Sequence, residues 1–408
     1  MKEHIQYEDA SAMLTDLVHP VDAERLKLDA CGMRVLAQSV QAACDVPPFD
    51  RSPYDGYAFR AEDTMQASPE HPAVLRILEE VPAGAVPSCR VTAGTAVKIL
   101  TGAPIPEGAD AVVMYEKTSF TDTEVSISAP ASPGENIIYA GEDVKKGQQL
   151  ASEGMTVDAG LAGVLAFQGI AEPLVYRRPV IGIISTGSEL VELTAEGEQN
   201  LPAGKIRNSN RYLMAAALKK DGCDPVYLGK AGDDAEAIAV LIRKGLAQCD
   251  LIILTGGVSA GDYDLTPAAM EQAGCELLFH GVKLKPGMAC CYGTCQGKLV
   301  CALFGNPASA LTNYYAVLRP AVRKLSGRVP YEPERIRVTL TRGFKKKSGQ
   351  VRMLKGRLLL ADGIVKMEPA AGQGNVMIGS SAGCDVIAIV PAGSGALEEG
   401  TQLEAFLV

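Results

Sequence analysis

The densest chemistry in the chain lies between Cys249 and Pro267. There an apolar run, Leu251 to Leu254, meets Thr255-Gly256-Gly257 and then the acids Asp262 and Asp264. Glycines at such a turn let a phosphate approach backbone N–H groups closely. Ser259 and Asp264 offer the hard oxygen atoms that a divalent cation prefers. Together they point to a phosphorylated ligand held with a cation, and a tight βα turn with a capping acid is the alternative reading of this one loop. Two more apolar runs end the same way, in Thr186-Gly187-Ser188-Glu189 and in Gly305-Asn306-Pro307. Asp233 either caps a helix or serves the same ligand. Lys285, in Lys-Pro-Gly, is the best group to neutralise an oxyanion, with Pro286 and Gly287 stiffening its loop. Asp50 and Asp55 share a turn-rich loop with apolar flanks, and Thr101 follows a strand in a similar polar loop. Asx-turn and capping duties are the plainer reading of those two acids.

These residues need elements to position them. From Arg178-Pro179 onward strands and helices alternate, which predicts a doubly wound α/β domain. Its strands are Val180 to Ser185, Pro225 to Leu228 and Leu251 to Leu254, followed by a hairpin around Ala289 to Ala302. Its helices run from about Asn210 to Lys220, from a cap at Asp233-Asp234 to about Ala247, and from Asn306-Pro307 to about Leu325. Thr266-Pro267 reads as the N-cap and first turn of another. Strand C-termini share one edge in such a sheet, so the three glycine loops should converge on one crevice. That convergence carries the site; one loop alone would not.

Elsewhere, a helix is expected over about Tyr7 to Val18 and a β-like run over Arg34 to Val46. Short strands cut by Gly and Pro fill Phe49 to Lys146, and Ala151 to Val175 is partly helical. Ser326 to Pro333 is linker-like, and the strands after Ile336 suggest a small barrel or sandwich.

Composition removes several classes. The 408 residues carry a net charge of −9, no tryptophan, 5% aromatics and no basic block longer than Lys345-Lys346-Lys347, which argues against a nucleic-acid partner. Apolar runs are strand-length and no signal-peptide core opens the chain, so neither membrane insertion nor export is expected. Eleven cysteines without a CxxC pair fit a reducing cytoplasm, and the cluster Cys290, Cys291, Cys295 and Cys301 is expected in the core. No GxxxxGK[ST], strand-following GxGxxG or HExxH occurs. What remains is carboxylates, glycine loops and a few lysines, a set suited to Mg2+-assisted phosphoryl or nucleotidyl chemistry.

Seven segments in order then show a resemblance. They are Asp50-Arg-Ser-Pro-Tyr-Asp-Gly-Tyr-Ala58, Leu100-Thr-Gly-Ala-Pro-Ile-Pro-Glu-Gly-Ala-Asp-Ala-Val-Val113, Gly-Glu-Asp143, Ser-Thr-Gly-Ser-Glu189, Thr255-Gly-Gly-Val-Ser-Ala-Gly-Asp-Tyr-Asp264, Lys285-Pro-Gly and Gly305-Asn-Pro-Ala-Ser-Ala310. The series resembles the MoeA family of molybdopterin molybdenumtransferases, which includes the gephyrin E-domain, over nearly the whole chain. The resemblance implies insertion of molybdenum from molybdate into adenylylated molybdopterin, with release of AMP and a requirement for Mg2+. It implies a MogA-like α/β domain over 178–327, an inserted mainly-β domain over 48–146, a small N-terminal α+β domain over 1–47 plus 147–177 and a C-terminal β-barrel over 328–408. It also implies a homodimer with composite active sites. Carried over by position, the catalytic residues are Asp55, Thr101, Asp143, Glu189, Asp233 and Lys285, with Ser259 and Asp264 on the metal. Substrate binding falls to Thr186, Gly187, Gly256, Gly257, Ser259, Gly305, Asn306, Pro307, Ser309, Arg352 and Asn375. The chain departs from the family pattern at Gly281, where many members carry a basic residue, and at Met288, Gln350 and Asn375. Two other readings belong to the same resemblance: molybdopterin adenylylation, and a gephyrin-like peptide-binding scaffold.

Overall fold

Leu251, Ile252, Ile253 and Leu254 are all fully buried because their strand is covered on both faces. Leu251 and Ile253 face one core, which also takes Met214, Leu218, Tyr314 and Leu318 from helices. Ile252 and Leu254 face the other, with Ile238, Ile242 and Met270. The computed structural model describes residues 1–193, 201–258, 265–361, 363–374 and 376–408. They form two compact units, 39–152 with 163–171, and the remainder.

In the larger unit, seven strands make one sheet: β1 (Lys2–Ile5), β2 (Val180–Thr186), β3 (Asp224–Ala231), β4 (Leu251–Thr255), β5 (Glu276–Val282), β6 (Cys290–Cys295) and β7 (Lys298–Leu303). The spatial order is β1-β5-β6-β7-β4-β2-β3. Strands β7, β4, β2 and β3 are parallel, with Ser185 beside Thr255 and Thr255 beside Leu303, so their C-terminal ends lie level. Helices Ser209–Lys220, Ala235–Gln248 and Leu265–Gln272 cover the sheet. The doubly wound expectation holds. Hairpin cysteines sit in the core, Cys290 and Cys301 on one face, Cys291 and Cys295 on the other.

Three details differ from the sequence reading. Strand β1 pairs in parallel with β5, setting Glu3 against His280 and Ile5 against Val282, so the first residues extend this sheet. Helix Leu265–Gln272 already contains Thr266, whose hydroxyl donates to the Gly256 carbonyl at 3.1 Å rather than capping. The predicted helix to Leu325 is present but changes to a π turn over Tyr314–Leu318 between Pro307–Asn313 and Arg319–Leu325.

That π segment belongs to a buried network. Asp221 ends helix Ser209–Lys220 and accepts from the Tyr314 hydroxyl at 2.7 Å and from Arg319 Nε at 2.9 Å. Arg323 Nε reaches it at 3.3 Å, and the Asp221 side chain is only 1% exposed. Asp221→Ala would leave the Arg319 guanidinium buried without its carboxylate. We expect unfolding by urea to show a stability loss of about 3–5 kcal/mol.

After Glu334, strands Arg335–Leu340, Val351–Ala361, Ile364–Pro369, Val386–Val390 and Gln402–Leu407 pair in a ring closed by Val351–Ala361 with Val386–Val390. Of the two forms expected here, the barrel is the one that occurs. Met353, Ile387 and Phe406 add to the core that holds Leu251 and Ile253.

The smaller unit contains a six-stranded sheet from Gly56–Phe59, Ala73–Val81, Thr95–Ile99, Ala111–Met114, Thr118–Phe120 and Glu124–Ile127. Tyr57 and Phe59 point to one of its cores and Ala58 to the other, the period expected of a strand.

Candidate functional site

The glycine loops after β2, β4 and β7 meet at the level ends of those strands. Gly256 has φ +107°, and a Cβ there would stand 2.5 Å from both the carbonyl oxygen and Oγ1 of Thr186. Only glycine allows that approach. Thr186 Oγ1 donates to the Thr255 carbonyl at 3.2 Å, and Gly256 N donates to the Leu303 carbonyl at 3.0 Å. A Cβ on Gly305 would lie 3.5 Å from Gly256 Cα. Thr186, Gly187, Gly256, Gly257, Gly305, Asn306 and Pro307 therefore share one rim, as the sequence argument required. Asn306 holds the cap position with Pro307 in the first turn, yet its side chain makes no cap bond.

Asp233 and Glu189 stand at the β2–β3 end of this rim, and both are exposed. The helix cap there is Asp234, which accepts from Glu236 N and Ala237 N, and Asp233 instead accepts from Ser188 Oγ at 2.6 Å. The capping alternative for Asp233 is thereby removed. The Glu189 carboxylate folds over Gly187, where a Cβ would meet its Oε2.

At the β7 end the rim opens into a cavity of about 700 Å³ bordered by Val258, Phe304 and Ser309. Lys285 and Arg352 line it too. They are neighbours because Leu284–Lys285 pairs in parallel with Val351 and Arg352 of the barrel. Gly287 is tied to the helix by Asn313 Nδ2, which donates to its carbonyl at 2.8 Å. Burial pushes the Arg352 guanidinium below its ordinary pKa, and it lies 5.4 Å from the Phe344 ring.

Partnerless atoms mark the same place. Of six buried side-chain N or O atoms without a partner among the described residues, four are Asn210 Oδ1, Thr255 Oγ1, Ser309 Oγ and Arg352 Nε. Each such atom costs about 1–3 kcal/mol when left unmet, so their concentration at one rim fits a polar ligand. Asn210, which the sequence reading missed, also donates from Nδ2 to the Gly305 carbonyl at 2.7 Å. A shallower hollow of about 780 Å³ on the barrel, beside Arg342, Arg357 and Cys384, has no such atom among the described residues.

In the smaller unit, Asp55 and Thr101 are brought together. Asp55 Oδ1 accepts from Thr101 N and from Thr101 Oγ1, both at 2.7 Å. The backbone bond first, then the hydroxyl, hold this exposed carboxyl below its ordinary pKa. Asp143 lies in the same unit and is exposed, its N–H donating to the Val46 carbonyl at 2.9 Å. The structure thus joins Asp55 directly to Thr101, while Asp143 lies on the loop whose Ile138 and Val144 bridge to Arg51 and Val46.

Ser259, Asp264 and Asn375 lie outside the described residues. Among the described residues no group of three His, Cys, Asp or Glu is close enough to hold a metal. The oxygen donors that are described, Ser188, Glu189 and Asp233, suit Mg2+, which binds few carboxylates and keeps its waters or substrate phosphates. No helix among them is long and apolar enough to cross a membrane.

Residues 5–169 match the family described as "MoeA N-terminal region (domain I and II)". Residues 182–324 match "Probable molybdopterin binding domain", and residues 337–408 match "MoeA C-terminal region (domain IV)". The chain is 31% identical over 407 residues to the molybdopterin molybdenumtransferase of Staphylococcus epidermidis, covering 100% of this chain and 93% of the relative. It is 34% identical over 392 residues to that of Bacillus subtilis, covering 95% and 90%. A crystal structure of the molybdopterin biosynthesis MoeA protein from Pyrococcus horikoshii superposes with a TM-score of 0.85 at 30% identity, covering 99% of this chain and 100% of that one.

Proposed function

The chain belongs to the MoeA family, and from that premise we propose that it is the molybdopterin molybdenumtransferase of molybdenum cofactor biosynthesis. Its substrates are adenylylated molybdopterin and molybdate. Water cleaves the P–O–P bond of the first, leaving the phosphate on the pterin side and releasing AMP with a proton. The two dithiolene sulfurs bond to molybdenum as one molybdate oxygen leaves with the two thiol protons as water, with no change of oxidation state. The observation that carries this reading is one rim with two adjoining parts. The loop N–H groups other than those of Gly187 and Gly256, which are bonded to the Ala231 and Leu303 carbonyls, can donate to a pyrophosphate. Beside them a cavity offers Lys285, Arg352 and Ser309 to a tetrahedral oxyanion.

Asp55, kept ionised by Thr101, serves as an acceptor for water or a hydrated cation. Mg2+ would be held by Ser259 and Asp264 and would offset the charge of the pyrophosphate, and Asp233 and Glu189 are the exposed carboxylates of the described rim. We further propose a homodimer in which Asp55 and Thr101 of one copy complete the centre of the other. Eleven cysteines with no disulfide among the described residues favour a cytoplasmic location.

Purified protein given adenylylated molybdopterin should release AMP in a molybdate- and Mg2+-dependent way, measured by chromatography. Adenylylation of bare molybdopterin by ATP without molybdate would assign the preceding step instead. Inactivity in both assays would leave the scaffold reading.

A further inference from the structure

Gly281 lies on β5 with φ +76° and borders the oxyanion cavity. A Cβ at this position would meet His4 Nδ1 at 2.7 Å and His4 Cε1 at 2.9 Å. The space that a side chain at 281 would take is thus filled by the imidazole of His4. The pairing of β1 with β5 explains how it gets there. Glu3 stands against His280 and Ile5 against Val282, so His4 comes opposite Gly281. His4 itself has φ +49°, a left-handed conformation uncommon outside glycine. Two adjacent left-handed residues, one not glycine, interrupt an otherwise regular edge pairing at the cavity wall. Strain of this kind persists where the surroundings hold it and gathers at ligand sites.

We propose that His4 is an oxyanion-binding residue of this site, reaching in from the N-terminal strand to supply the donor that position 281 lacks. The proposal rests on reading the cavity as the molybdate pocket. An imidazole carries at least one N–H donor in its neutral form and two when protonated, so either form can bind an oxyanion. The charged and titratable groups that line the cavity with it are Glu3 on its own strand, His280 on β5, Lys285 after β5, and Lys347 and Arg352 from the barrel side, and Lys283 follows β5 with its N–H on the Ile5 carbonyl. Glu3 is the one anion among them, and the rest favour a tetrahedral anion such as molybdate.

The test is the molybdate dependence of AMP release, together with equilibrium dialysis of molybdate alone. His4→Ala should raise both the KM and the Kd for molybdate roughly tenfold, the loss of one charge-assisted hydrogen bond. At saturating molybdate kcat should keep most of its value, and affinity for adenylylated molybdopterin should hold, which also checks the fold. His4→Lys, which restores a donor and a positive charge, should recover most of the molybdate affinity, and His4→Gln should fall between. If the wild type depends on molybdate while His4→Ala and His4→Gln keep its KM and Kd, His4 plays no such part. Equal loss in His4→Ala and His4→Lys would mean that the imidazole only supports β1, which also overturns the proposal. A wild type that neither binds nor uses molybdate removes the pocket reading itself, and His4 with it.

Discussion

Lys285→Ala is expected to lower kcat/KM for molybdate-dependent AMP release by about 10²–10³-fold, in line with the loss of one preorganised charge in a reaction of anions. The ammonium is exposed, sits on the cavity wall and is held by the pairing of Leu284–Lys285 with Val351 and Arg352. The buried Arg352 stays in place, because its support comes from the barrel strand Val351–Ala361 and not from Lys285. Truncating an exposed lysine changes stability by only about 0.5 kcal/mol, so the thermal midpoint should barely move while turnover collapses. Lys285→Arg should retain part of the activity, since it keeps the charge but changes its reach and shape. Steady-state AMP release at several molybdate concentrations, with parallel thermal unfolding, decides the matter. Wild-type kinetics for Lys285→Ala would remove this lysine from the chemistry and leave Arg352 and Ser309 as the anion's partners.

The second large effect is a recovery. Asp55→Ala and Lys285→Ala should each be nearly inactive alone, yet activity should return when the two proteins are mixed and their subunits exchange. The reasoning is symmetry. In a two-fold dimer whose centres each take Asp55 from one copy and Lys285 from the other, a heterodimer has one centre with both changes and one with neither. Half of the centres in each heterodimer should then turn over normally. Mass measurement under native conditions gives the heterodimer fraction, and AMP release per heterodimer gives the recovery. Confirmed exchange with no recovered activity would place both residues in the same centre of one chain. A protein that remains monomeric at assay concentration would reject the composite arrangement outright.

Much of the site could be read from the amino-acid order because its parts are local. A fully apolar Leu251–Leu254 declares a strand covered on both faces, and Thr255-Gly256-Gly257 declares a turn that needs positive φ and close approach. Parallel strands then force their C-terminal loops onto one edge, so the meeting of Thr186, Gly256 and Asn306 followed from local pattern and sheet geometry alone. Asp55 and Thr101 stand on separate motifs, and the bond between Asp55 Oδ1 and Thr101 spans 46 positions and is a product of the folded sheet.

Other assignments waited for the tertiary structure. Adjacent acids Asp233 and Asp234 are equivalent as cap candidates in sequence, and only the helix's exact start gives the cap to Asp234 and frees Asp233 for Ser188. Lys285 and Arg352 are far apart along the chain, and a two-residue parallel pairing makes them neighbours. Lys2–Ile5 is short and polar at most positions, with no hydrophobic period of its own. Its strand exists because β5 offers an unpaired edge, so its register, and with it the placing of His4 beside Gly281, is set by hydrogen bonds to a partner nearly three hundred residues away.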